Sequence, residues 1–118
     1  MTTKYKISTL ESRFERAWSR HCPDVPLGRQ YRFHPKRMWR FDYVAPEPVQ
    51  IAIEIQGGIY NQGAHTRASG QKRDMEKNNA AVALGWRIFY LHTSNVSSRS
   101  DLRQIADAII QSMAGCAS

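Results

Sequence analysis

A chain of 118 residues with 42% hydrophobic and 23% charged side chains has the size and balance of one globular domain, which excludes a disordered polymer and leaves little room for a second core. Its formal charge of +7 favours an anionic partner. The longest apolar stretch, Ala80 to Gly85, is far short of a membrane span, and the N-terminus lacks the apolar segment of a secretion signal, so a cytoplasmic protein without a membrane partner is expected. Cys22 and Cys116 are too few and too far apart for a disulfide framework or a zinc spacing and are expected as free thiols.

Ser8 followed by Glu11 has the spacing of a capping box. Leu10, Phe14, Ala17, Trp18 and His21 recur at helical intervals behind it, which predicts a helix from about Thr9 to His21. Pro23, Pro26 and Gly28 end that helix in a loop, and a short strand is expected over Gln30 to Phe33. Between Arg29 and Arg40 stand five basic residues (Arg29, Arg32, Lys36, Arg37, Arg40) and no acidic one. Such a segment can neutralise phosphates, or be no more than a solvated basic face. From Trp39 to Val44 the aromatic residues alternate with Arg40, Asp42 and Val44, the period of two that a half-buried strand requires.

Pro46 and Pro48 mark a turn, and Gln50 to Gln56 alternates again, with Ile51, Ile53 and Ile55 on one face and Ala52, Glu54 and Gln56 on the other. An antiparallel hairpin is expected. Gly57 to Gly70 reads as a loop, and Ser69 as the cap of a helix that runs to Leu84 and stops at a left-handed Gly85. Trp86 to Leu91 reads as a strand. A last helix from near Ser100 turns Leu102, Ile105, Ile109 and Met113 inward, and the tail after Gly115 is expected to fray. The order helix, strands, helix, strand, helix predicts an α/β fold, a small mixed β-sheet flanked by helices, in one domain over residues 1–118.

A hairpin register centred near Pro48 sets Asp42 opposite Glu54 on the same face, while Phe41, Tyr43 and the three isoleucines fill the core. Two carboxylates side by side repel. A divalent cation resolves the conflict, because Mg²⁺ (or Mn²⁺) takes oxygen ligands from one or two carboxylates and completes its shell with phosphate oxygens and water. Such an ion suits phosphodiester hydrolysis. The same parity is compatible with ordinary ion pairs, Asp42 with Arg40 or Arg87 and Glu54 with a lysine at the sheet edge. Against these stands the place of Glu54 inside Ile-Ala-Ile-Glu-Ile, where an idle charge is costly.

Arg40-Phe41-Asp42 and, with eleven residues between Asp42 and Glu54, Ile53-Glu54-Ile55-Gln56-Gly57-Gly58 resemble the active-site hairpin of the PD-(D/E)XK nuclease superfamily. Gly63-Ala64-His65-Thr66-Arg67, then Asp74, Lys77 and Asn79, then Leu84-Gly85-Trp86-Arg87-Ile88, is similar to small phage and bacterial endonuclease-like proteins related to the very-short-patch mismatch repair nuclease. The resemblance extends from about Leu10 to Thr93. It implies a restriction-endonuclease-like fold and a Mg²⁺-dependent endodeoxyribonuclease acting on DNA as a monomer or a homodimer. It also implies Asp42, Glu54 and the backbone carbonyl of Ile55 as metal ligands.

Gln56 stands where the superfamily usually has lysine; it can hydrogen-bond a water but supplies no charge. His65, on a glycine-flanked loop, is a candidate proton carrier, and Lys77, one turn beyond Asp74, a candidate cation reaching in from a helix; each is also readable as a plain surface residue. The resemblance also implies a glutamate of the first helix beside the metal. Glu11 is favoured, with Glu15 facing solvent and nearby arginines, although the capping box accounts for Glu11 without any catalysis. DNA contact is expected at Arg32, Lys36, Arg37, Arg40, Arg67 and Lys72. Trp39, Trp86 and Tyr90 are expected in the core rather than against bases. A nuclease-fold module that binds DNA without cutting it is the alternative, but only a nuclease explains two acidic groups on the inner hairpin of a basic protein.

Overall fold

The computed structural model of the chain describes residues 8–57 and 64–116, the backbone alone at 64–69 and at 116. Among these the order is α1 (Thr9–His21), β1 (Gly28–Arg32), β2 (Arg40–Val44), β3 (Ile51–Gln56), α2 (Ala64–Ala83), β4 (Arg87–His92) and α3 (Arg99–Cys116). The capping box that starts α1 is complete. The Glu11 N–H donates to Ser8 Oγ, and the Ser8 N–H donates back to Glu11 Oε1, each at 3.1 Å. At the other end the Trp18 indole donates to the Val25 carbonyl at 2.7 Å, which folds the Pro-rich loop under the helix.

The sheet has the order β1-β2-β3-β4, antiparallel through β3, with β4 parallel to β3 from Ile51–Arg87 to Gln56–His92. A parallel pair needs a crossover connection, and α2 supplies it. Gly85 ends that connection with φ +95°, and a Cβ there would lie 2.8 Å from Gln50 Oε1. On one face of the sheet Ile51 and Ile53 pack with Phe14, Trp18, Leu102, Ile105 and Ile109 of α1 and α3. On the other, Phe41, Val44 and Ala52 pack with Ala81 of α2 and the flanking Phe33, Trp86 and Ile88. The expected α/β arrangement of a mixed sheet between helices is therefore present. Among the described residues no helix is long and apolar enough to cross a membrane.

Four sequence expectations are corrected. The helix α2 begins at Ala64, inside the stretch predicted as loop, so Ser69 is an interior residue and not a cap. Alanines and straight-chain polar residues carry the helix through Gly70, whose cost of about 1 kcal/mol a helix this long tolerates. Residues 58–63 of that predicted loop lie outside the described residues. Met113 is 42% exposed rather than inward, because the last turns of α3 run past Ile109, its final residue in the core; the helix continues through Gly115 to Cys116.

The third correction concerns faces. Tyr43 packs against Phe14 of α1, yet Phe41, of the same parity, packs against Phe33 and Trp86 on the α2 side. The neighbouring strand does the same: Arg29 meets Glu15 of α1 while Tyr31 meets Trp86. Both strands turn over between these residues, where Gln30 adopts a left-handed φ of +51°. The alternation rule fails across a residue that reverses the pleat. The fourth correction is Tyr90, which is 47% exposed and donates to Asn78 Oδ1 at 2.8 Å, since α2 offers polar rather than apolar cover at that point. Trp86 is half-buried against the core on the α2 side, as expected, whereas Trp39 is half-buried against Phe33 outside either core cluster.

Candidate functional site

The residues Asp42 and Glu54 meet where the β2–β3 ladder ends. Cα pairing joins Val44 to Ala52 and Tyr43 to Ile53, the register centred on Pro48, and stops there. Beyond it each carboxylate takes an amide of the opposite strand. The Asp42 N–H donates to Glu54 Oε2 and the Ile55 N–H donates to Asp42 Oδ2, each at 2.8 Å. Side-chain oxygens thus satisfy backbone donors that a continued ladder would have used. Lys77 of α2 donates to Glu54 Oε1, and its ammonium lies 5.7 Å from the Phe41 ring centre. The lysine comes from a helix and not from the sheet edge, and Arg87, instead of pairing with Asp42, donates to Ser112 Oγ on α3.

Burial pushes the Asp42 carboxyl up to about 6, and the Glu54 and Glu11 carboxylates push the same way, against the Ile55 N–H and Lys77. A cavity of about 610 Å³ opens on the α1 side of Asp42, lined in part by Glu11, Arg13, Gln30, Ile55 and Thr93. The first turn of α1 reaches this cavity because Gly57 follows β3, where a Cβ would lie 2.6 Å from Leu10 Cδ2. Glu11 therefore stands on the cavity wall while capping its own helix.

The other glutamate of α1, Glu15, is turned away into a second groove. It accepts from the Tyr43 hydroxyl at 2.5 Å and pairs with Arg29 at 3.4 Å, where burial first and the Glu15 bond second push the Tyr43 hydroxyl pKa upward. The arginine partner agrees with the sequence reading, and the tyrosine is new. Cys22, a free thiol at the base of the same groove, is held protonated chiefly by burial.

Gln56 ends β3 beside Glu54, exposed, and both border a recess with Asp74, Lys77, Asn78 and Tyr90. His65 lies in the first turn of α2 and not on a loop; its side chain, like that of Arg67, is outside the described residues. The remaining basic candidates divide between two elements. Arg32, Lys36, Arg37 and Arg40 occupy the β1–β2 hairpin, and Lys72 is exposed on α2. At the hairpin tip His34 Nδ1 accepts the N–H groups of Lys36 (3.1 Å) and Arg37 (2.9 Å), which leaves both side chains exposed; the Arg37 guanidinium lies 4.0 Å over Trp39.

Sequence reasoning missed Gln30, Arg13 and Thr93 on the cavity wall and His92, the parallel-strand partner of Gln56. The last two had a usable signal, since His92 ends β4 and Thr93 follows it, and ligands gather at the carboxyl ends of parallel strands. Among the described residues no three His, Cys, Asp or Glu side chains form a group able to hold a metal. The donor set still fits an ion of the Mg²⁺ type, which needs one or two protein carboxylates, and a cation would offset the burial that chiefly raises the Asp42 carboxyl as well as the smaller push from Glu54. No family model, curated protein or solved structure matches this chain at a significant level.

Proposed function

We propose that the chain is a divalent-metal-dependent endodeoxyribonuclease with a restriction-endonuclease-like fold, hydrolysing phosphodiester bonds of DNA. The observation that carries this reading is the crossed carboxylate pair. In a protein of charge +7, Asp42 and Glu54 are held against each other at the open end of a hairpin, next to a cavity, with a lysine brought to them from another element. An amide at position 42 would still accept the Ile55 N–H, so that hydrogen bond does not by itself call for the charge of Asp42, whereas the charge of Glu54 also serves its pair with Lys77.

Asp42 and Glu54 would hold Mg²⁺ or Mn²⁺, with Glu11 and the Ile55 carbonyl as further oxygens on the Asp42 side. When bound, the ion supplies Lewis-acid polarisation of a phosphoryl oxygen and a more acidic water. The residues of the chain do the rest. Lys77, already beside Glu54, provides the positive charge that Gln56 lacks and stabilises charge building on the phosphate. Gln56 orients a water by hydrogen bonding. The basic hairpin, from Arg32 through Lys36 and Arg37 to Arg40, and Lys72 with Arg67 on α2, hold the duplex by its phosphates, which positions DNA without reading sequence. Cutting both strands would require a homodimer, and the cytoplasm of a bacterium, including one carrying a phage, is the proposed setting.

The test is plasmid nicking with Mg²⁺, Mn²⁺ or a chelator, using wild type, Asp42→Asn, Glu54→Gln and Lys77→Met. Both amides retain an oxygen to accept the backbone N–H groups, so folding is preserved. Metal-dependent nicking that falls at least about a hundredfold in each variant supports the proposal. Plasmid binding without cleavage in the wild type under every metal would leave a DNA-binding module in its place.

A further inference from the structure

Strand β1 holds a glutamine where a glycine would sit without strain. Gln30, at φ +51°, is the one non-glycine with positive φ among the described residues, and a side chain in that region costs free energy. In the β1–β2 register it falls between the pairs Arg29–Tyr43 and Tyr31–Phe41, which sets it opposite Asp42. Here both strands turn over. Asp42 therefore belongs to neither face of the sheet, and its carboxylate is free to meet the Ile55 N–H and the cavity.

The side chain of Gln30 is placed as unusually as its backbone. It is half-buried while every other residue of β1 is exposed, it lines the cavity with Asp42, Glu11 and Arg13, and among the described residues no hydrogen bond engages its amide. A half-buried amide on an edge strand, at a strained position, open to the cavity and without a protein partner among the described residues, is placed to meet a ligand.

We infer that Gln30 belongs to the site in two ways. Its backbone turns Asp42 into the cavity, and its amide N–H donates to a phosphate oxygen of the bound nucleic acid. This inference rests on the nuclease reading above and adds a residue that the resemblance does not imply.

The experiment compares Gln30→Gly, Gln30→Asn and Gln30→Val with wild type in three readouts: melting temperature, Mn²⁺ binding by calorimetry, and steady-state cleavage of a short duplex. Gln30→Gly keeps the turn and loses the amide, so melting rises by about 3–6 °C, Mn²⁺ affinity stays within about twofold, and kcat/KM falls at least about tenfold. Gln30→Asn, at ease in the left-handed region and still an amide, recovers most of that loss. Gln30→Val opposes the turn itself, so Mn²⁺ affinity falls as well; if this variant does not fold, the Gly and Asn pair still decides. Wild-type cleavage matched by Gln30→Gly, or Gly and Asn variants that behave alike, overturns the inference and leaves the nuclease standing. A wild type that neither binds Mn²⁺ nor cleaves overturns both.

Discussion

On one face of the sheet, Phe14, Trp18, Ile51, Ile53, Leu102, Ile105 and Ile109 form a continuous apolar core from α1, β3 and α3. On the other, α2 buries, among its described side chains, only Ala81 against Phe41, Val44 and Ala52, leaves Met75 and Val82 exposed, and sets Lys77 and Asn78 beside Glu54 and Tyr90. The first face holds the fold together. The thinner second face can keep charged groups half-solvated, and the carboxylate pair sits where the strands pass from one to the other. A fully packed second face would have forced Glu54 to be neutral or absent.

The largest effect should come from the core side. Phe14→Ala is expected to cost about 3–5 kcal/mol in urea denaturation, against less than about 0.5 kcal/mol for Val82→Ala on α2. Equal losses would end the distinction between the faces. Next in size is Lys77→Met, which strips Glu54 of its cation in a partly buried place and is expected to cost roughly 1–3 kcal/mol. Because Mn²⁺ can replace the lost charge, it should raise the melting temperature of this variant more than that of wild type. A smaller metal effect in the variant would count against a cation site at Glu54.

Asp42 offers a test with a sign. Its folded carboxyl holds a proton up to about pH 6 that the unfolded chain releases near the ordinary aspartate value of 3.8, so stability falls as pH rises across that window. Asp42→Asn should therefore be more stable than wild type at pH 7.5 in chelator, by roughly 1–2 kcal/mol after allowance for solvent screening, with the gap closing by pH 4. Thermal melts at both pH values measure it, and a gap that widens toward pH 4 would refute the assignment. The smallest effects belong to the hairpin tip. Lys36→Ala and Arg37→Ala should leave stability within about 0.5 kcal/mol, while each lowers the salt dependence of duplex binding by about 0.9 in the log–log slope. Anisotropy titrations at several salt concentrations would show it, and an unchanged slope would remove these residues from the DNA contact.

Local pattern carried much of this protein. The capping spacing of Ser8 and Glu11 set α1 to the residue, because helix initiation depends on groups three apart. Period-two alternation on either side of Pro46 and Pro48 set β2, β3 and their register, because a one-residue slip would move every isoleucine to the wrong face. The meeting of Asp42 with Glu54 followed from that register and was legible in advance. Tertiary structure alone decided the rest. Nothing near Gln30 in sequence announces a left-handed residue, yet it determines which face Phe41 takes and where Asp42 points. Lys77 comes to Glu54 only because β4 lies parallel to β3 and so lays α2 across the sheet, and Glu15 comes to Tyr43 only because α1 packs on the opposite side. Periodicity reports what a residue needs from its neighbours along the chain. Which distant element answers that need depends on strand order and on the points where the sheet turns over.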